Sequence, residues 1–89
     1  MGKPTKEELE TALAHAARLR EQGEDIYYIA KSLFNLNYRM KLYQDVFHKA
    51  DLYLHSGEGA HEHADLANAI KRVRQAELDP GVADDEVPT

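Results

Sequence analysis

The 89-residue chain contains no cysteine, no tryptophan and no long uninterrupted run of apolar residues. Without cysteine no disulfide can hold the fold together, which fits a reducing compartment. A membrane-spanning helix needs roughly 18 or more consecutive apolar residues, so we expect no membrane segment. The amino-terminal region turns acidic at Glu7 and Glu8, where a secretory signal would need an apolar stretch. We therefore expect a cytoplasmic protein.

An excess of positive charge is also missing, since the net charge is −5. Most of this charge comes from an acidic segment near the carboxyl terminus that contains no Lys or Arg (Asp79, Asp84, Asp85 and Glu86). The rest of the chain is close to neutral and offers no basic footprint, so we expect no nucleic acid partner. Residues 82–89 have no apolar periodicity and are predicted to form a disordered tail. The folded domain is then residues 1–81.

The first and third segments of the chain have the patterns of amphipathic helices. Thr5 and Glu8 have the spacing of a capping box, and Gly23 is a typical helix stop, which predicts a helix over residues 6–22. A second apolar stripe follows the linker glycines Gly57 and Gly59 and predicts a helix over residues 61–78, before Pro80. Alternation typical of strands is absent, so the predicted fold class is all-α.

The central segment carries the most regular pattern in the sequence. Asp25 is a candidate cap, and nothing breaks the periodicity before Ser56, which predicts one helix over residues 26–56. We expect this helix to continue through residues 35–37 despite the poor helix propensity of Asn35 and Asn37. The apolar spacing alternates three and four residues over four heptads, which is typical of a helix that packs along another helix. The a and d positions of these heptads are Ile26, Ile29, Leu33, Leu36, Met40, Tyr43, Phe47, Ala50 and Leu54.

The central helix has more apolar side chains than this one line of contacts requires. Short connections would make the two outer helices antiparallel to it, one along each half, in a short–long–short arrangement. At most levels such a monomer has only two helices, which cannot cover several apolar faces. We therefore expect a homodimer whose layers each hold four helices: two central helices, one first helix, and one third helix from the partner. The residues expected to form the interaction surface are Tyr27, Phe34, Tyr38 and Leu42.

A histidine cluster suggests a different interpretation. His55, His61 and His63 lie close together in sequence, and imidazole groups with nearby carboxylates are ligands for zinc or iron. The spacing differs from His-Glu-x-x-His, so two imidazoles would not share one helical face. Solvated polar residues around a helix turn are the simpler explanation, and we expect no cofactor. The alternative is a small metal-binding or metal-sensing protein.

Signals for catalysis are weak. Neither Ser32 nor Ser56 lies in a Gly-x-Ser-x-Gly elbow, and Gly57-Glu58-Gly59 does not follow a strand as a phosphate-binding loop would. The sequence therefore favours a non-enzymatic helical module that self-associates through its central helix and presents a remaining surface to a protein partner. A metal-binding protein ranks second, and an enzyme with a pocket between subunits ranks third.

Overall fold

Three helices make up residues 2–78, which the computed structural model describes. They are α1 (Lys6–Glu21), α2 (Ile29–His55) and α3 (Ala60–Leu78), and no strand occurs among these residues. The predicted all-α class and three-helix order are therefore confirmed. α2 packs against both α1 and α3. The acidic tail predicted at residues 82–89, and the last residues of the predicted domain, lie outside the described part of the chain.

Both ends of α1 form as the sequence predicts. The Thr5 hydroxyl accepts from the Glu8 amide at 3.0 Å, and the Glu8 carboxylate accepts from the Thr5 amide at 2.8 Å, which completes the capping box. At the other end Gly23 has a φ of +67°, and the Glu24 amide donates to the Leu19 carbonyl at 2.9 Å. This is a Schellman end, which needs a residue that tolerates the left-handed region.

The start of α2 differs from the prediction. The helix begins at Ile29 rather than at residue 26, because residues 26–28 form a turn and Tyr28 has a left-handed φ of +59°. Asp25 still caps the helix, but from a greater distance. Its carboxylate oxygens accept from the amides of Ala30 at 2.8 Å and Lys31 at 3.0 Å. The N-cap residue itself is Tyr28, so Asp25 supplies the acceptors for the first turn from outside the helix, and the helix begins three residues later than predicted. Beyond this point α2 is continuous through residues 35–37, as expected.

Replacing Asp25 by Ala should destabilise the fold, because two amides at the start of α2 lose their acceptor. We expect the melting temperature to fall by roughly 4–8 °C at neutral pH, measured by circular dichroism. The pKa of Asp25 is lowered, chiefly by the hydrogen bond from the Ala30 amide. Its contribution to stability is therefore complete above its ordinary pKa and lost as pH falls through the lowered folded-state pKa. Asp25→Asn keeps one acceptor without the charge and is the control. An equal melting temperature for Asp25→Ala and the wild type would contradict this capping role.

The two outer helices cover different halves of α2. α1 packs on the first half, where Ala16 of α1 is buried with Ala30 and Phe34 of α2, and Leu13 and Leu33 border this cluster. α3 runs along the second half in the opposite direction. Its successive contacts with α2 join Glu77 to Arg39, Arg72 to Asp45, and His63 to Tyr53. The contacts of α3 thus extend from Tyr53 back to Arg39, just before the midpoint of α2, and α1 packs on the part of α2 before it.

Candidate interaction surface

The heptad line of α2 lies mostly exposed between its contacts with the two neighbouring helices. We call the a and d positions inside α2 the α2 stripe: Ile29, Leu33, Leu36, Met40, Tyr43, Phe47, Ala50 and Leu54. Leu33 and Ala50 are half-buried at its edges, and the other six side chains are exposed. Phe47 is 75% exposed and Met40 is 56% exposed. The stripe extends about 38 Å along the helix at 1.5 Å per residue. A contiguous apolar surface of this length is typical of an interaction site.

The four residues predicted to form the interaction surface do not lie together on one exposed face. Phe34 is only 8% exposed, because it packs against α1 and lies below the guanidinium of Arg20 at 5.8 Å. Its assignment to an exposed patch is therefore corrected: α1, though short, covers it. Tyr27 is exposed but lies in the turn before α2 rather than on the helix. Leu42 is half-buried, and Tyr38 is exposed near the middle of α2.

The heptad line is visible in the sequence, but its exposure is not. A helical projection at 100° per residue places Phe34 roughly 120–140° away from Met40 and Phe47, which separates the buried face from the stripe. The projection does not show which face of α2 packs against the outer helices. That choice depends on the packing of Ala16 and Ala30, whose small side chains allow α1 to approach α2 closely.

A groove opens beside the stripe, where the start of α1 meets the middle of α2. Its volume is about 500 Å³. Apolar surface dominates its lining, and the amino-terminal residues before α1 form one wall. No sequence signal predicted this groove, because its two walls are separated by more than twenty residues of chain. The lining residues are Lys3, Pro4, Leu9, Leu33, Leu36, Asn37, Met40, Lys41 and Gln44.

A polar cluster holds the middle of the stripe in place. The Tyr43 hydroxyl donates to Glu77 Oε2 at 2.9 Å, and Arg39 Nε lies 2.7 Å from Glu77 Oε1. Arg39 Nη2 donates to Glu77 Oε2 at 3.1 Å. The end of α3 thus fixes the orientation of an aromatic ring that lies on the α2 stripe. A ring held in one orientation loses less conformational entropy when a partner binds it.

The hydrogen bonds of this cluster shift the pKa values of Glu77 and Tyr43 away from the neutral range. The pKa of the Glu77 carboxyl is lowered, first by the hydrogen bond from Arg39 and then by the one from Tyr43. The pKa of Tyr43 is raised, chiefly by its hydrogen bond to Glu77. Tyr43 therefore stays a neutral donor and Glu77 a charged acceptor near pH 7. The contribution of Glu77 to stability is lost only as pH falls through its lowered folded-state pKa.

The three histidines proposed as metal ligands have separate partners. His55 Nδ1 lies 2.8 Å from the Asp51 carbonyl oxygen, and His61 Nε2 lies 3.3 Å from Asp65 Oδ2. The His63 ring contacts Tyr53 edge-on, with the ring centroids 5.7 Å apart. In residues 2–78, no group of three His, Cys, Asp or Glu side chains is arranged to hold a metal ion. Each imidazole is accounted for by a local contact near the α2–α3 turn.

The surroundings of the stripe are mostly uncharged. The flanking e positions hold Ala30, Asn37, Gln44 and Asp51, and the flanking g positions hold Ser32, Arg39, Val46 and Tyr53. Arg39 is already paired with Glu77 of α3. Across residues 2–78, no helix is both long and apolar enough to cross a bilayer. Comparison with protein-family models, curated proteins and solved structures finds no match for this chain.

Proposed function

We propose that this protein is a non-enzymatic helical interaction module that self-associates through the α2 stripe. The observation that carries the proposal is the exposure of the heptad line: the face of α2 with the periodicity of a helix–helix contact keeps six of its eight side chains exposed in the structure of residues 2–78. In this proposal α2 is the long central helix of a short–long–short arrangement. The occupant of the stripe is a second copy of the chain.

The apolar surface available is sufficient for association. Full burial of an Ile, Leu, Met or Phe side chain is worth about 1.5–3 kcal/mol. The five exposed side chains of these types on the stripe are already partly shielded in the monomer. Two copies together then gain on the order of 10–20 kcal/mol, against an association cost of roughly 4–15 kcal/mol. These side chains are Ile29, Leu36, Met40, Phe47 and Leu54.

The positions of the outer helices leave room for the second copy. α1 flanks one side of the stripe over the first half of α2, and α3 flanks the other side over the second half. A second stripe can therefore lie between them without displacing either helix. The resulting layers of four helices would cover the apolar surface of each copy. Tyr27 and Tyr38 stay outside these contacts and are the proposed surface for a partner protein.

The proposal is tested by sedimentation equilibrium of the wild-type protein over a series of concentrations. We expect the mass to rise from that of the 10.1 kDa monomer to twice that value by tens of micromolar. The melting temperature should rise with concentration over the same range, because dimerisation stabilises the folded state. A monomer mass at every concentration would overturn the proposal. The metal-binding alternative is not proposed, because His55, His61 and His63 contact separate partners near the α2–α3 turn.

A further inference from the structure

We infer that the second copy binds antiparallel, with Phe47 of each copy inserted into the groove between the start of α1 and the middle of α2 of the other. This inference rests on the proposed self-association and names its geometry. Phe47 is the most exposed large side chain on the stripe, at 75%. The groove is an apolar concavity beside the stripe, with a volume of about 500 Å³.

The groove contains the hole that a coiled-coil side chain needs. In knobs-into-holes packing, one side chain fits between four residues of the facing helix. Leu33, Leu36, Asn37 and Met40 occupy successive a, d, e and a positions and all line the groove. Leu9 and Pro4 extend it beyond the helix surface. The hole is therefore deeper than a bare helix provides, and it suits an aromatic ring.

An antiparallel arrangement in which the two stripes pair over their full length brings Phe47 of one copy to this hole of the other. If the two stripes pair over their full length, Leu36 of one copy faces Phe47 of the other. The remaining layers then pair large side chains with smaller or flexible ones. These layers are Ile29 with Leu54, Leu33 with Ala50, and Met40 with Tyr43.

A parallel arrangement packs less evenly. It would place Phe47 against Phe47 and, in the next layer, Ala50 against Ala50. The Phe47 layer would be overpacked and the Ala50 layer would leave a cavity, and each of these lowers the stability of the dimer. The antiparallel pairing avoids the overpacked layer and the cavity. It also places the two helix dipoles in opposite directions, which is the favourable orientation. It sets the uncharged side chains of Asn37 and Gln44 from opposite copies side by side, so no like charges meet there.

The neighbouring layer is already arranged for this contact. Tyr43 is held by Glu77 of α3 through its hydroxyl and is still 47% exposed on the stripe. In the antiparallel pairing Met40 of the second copy lies against this ring. A thioether beside an aromatic ring is a favourable contact. Phe47 and Tyr43 of one copy thus contact successive layers of the other.

The orientation is tested by disulfide formation, which is clean because the native chain has no cysteine. Ile29→Cys and Leu54→Cys place single thiols at the two exposed ends of the stripe. In glutathione redox buffer, an equimolar mixture of the two variants should give a mixed disulfide as its main product, identified by intact mass. Each variant alone should stay largely reduced. Residues 29 and 54 lie about 38 Å apart along α2, so an antiparallel dimer brings together only unlike thiols and a parallel dimer only like thiols.

The other outcomes separate this inference from the proposed function. Disulfides within each single variant would indicate a parallel dimer and overturn the inference. A wild-type dimer by sedimentation with no disulfide from either variant or the mixture would also overturn it, while leaving self-association in place. A wild-type monomer at all concentrations would overturn both.

The role of Phe47 is tested separately by Phe47→Ala. Each dimer contains two such contacts, each worth about tenfold, so the dissociation constant should rise by roughly a hundredfold. Monomer helicity should not change, because the side chain is exposed. Leu52→Ala, on the opposite face of α2, is the matched control. A change in dissociation constant no larger than that of the control would exclude insertion of Phe47.

Discussion

The Met40→Glu variant is expected to sediment as a monomer at concentrations where the wild-type protein is a dimer. Met40 lies at the middle of the α2 stripe, so each dimer would bury two carboxylates close to its two-fold axis. Charged groups in an apolar contact without partners are strongly unfavourable. We expect the dissociation constant to rise by at least about a hundredfold. Sedimentation equilibrium at tens of micromolar measures this change.

Folding of the Met40→Glu monomer should be preserved. The side chain is 56% exposed, and Glu and Met have similar helix propensities. Leu52→Glu is the matched control, because Leu52 is 45% exposed on the same helix and faces nearly the opposite way. This control should remain a dimer. If Leu52→Glu dissociates while Met40→Glu does not, the contact lies on the other face of α2.

The Phe34→Ala variant is expected to unfold at a much lower urea concentration than the wild type. Phe34 is the largest side chain in the buried cluster between α1 and α2 and is 8% exposed. Truncating a buried Phe to Ala typically costs about 3–5 kcal/mol. A chain of this size has a total stability of roughly 5–10 kcal/mol, so the loss is a large fraction of it. Urea unfolding followed by circular dichroism measures the difference.

The other phenylalanine of the chain provides the control for this experiment. Phe47→Ala truncates the same side chain at a position that is 75% exposed. At concentrations low enough for the wild type to be monomeric, it should unfold at nearly the wild-type urea concentration. Equal losses for both variants would mean that Phe34 is not more buried than Phe47. That result would contradict the packing of α1 on α2.

Local signals in the sequence were sufficient to predict the elements of the fold. The Thr5–Glu8 pair and Gly23 predicted both ends of α1 to within one residue, because caps depend only on neighbouring backbone groups. Unbroken periodicity predicted that α2 continues through residues 35–37. The start of α2 was wrong by three residues. Asp25 caps the helix across a turn in which Tyr28 is left-handed, a conformation that residue type alone seldom indicates.

The candidate site was predicted only in part. The α2 stripe is visible as a heptad pattern in the sequence, and its residues were all identified there. Their exposure was not, and Phe34 was assigned to the wrong face. The groove beside the stripe depends on Pro4 and Leu9 meeting Leu36 and Met40, which are remote in sequence. Contacts of this kind follow from how α1 docks, not from any local pattern.

By itself, the amino-acid sequence determined the helical class, the number of helices and their approximate ends. These follow from interactions within a few residues: hydrogen bonds at caps, breaks at glycine and proline, and periodicity along one helix. Only the tertiary structure decided which face of α2 is buried. α2 is apolar on several sides, and a single helix has no preference among them. The small side chains of Ala16 and Ala30 allowed α1 to approach the Phe34 face closely, and that packing left the heptad line exposed.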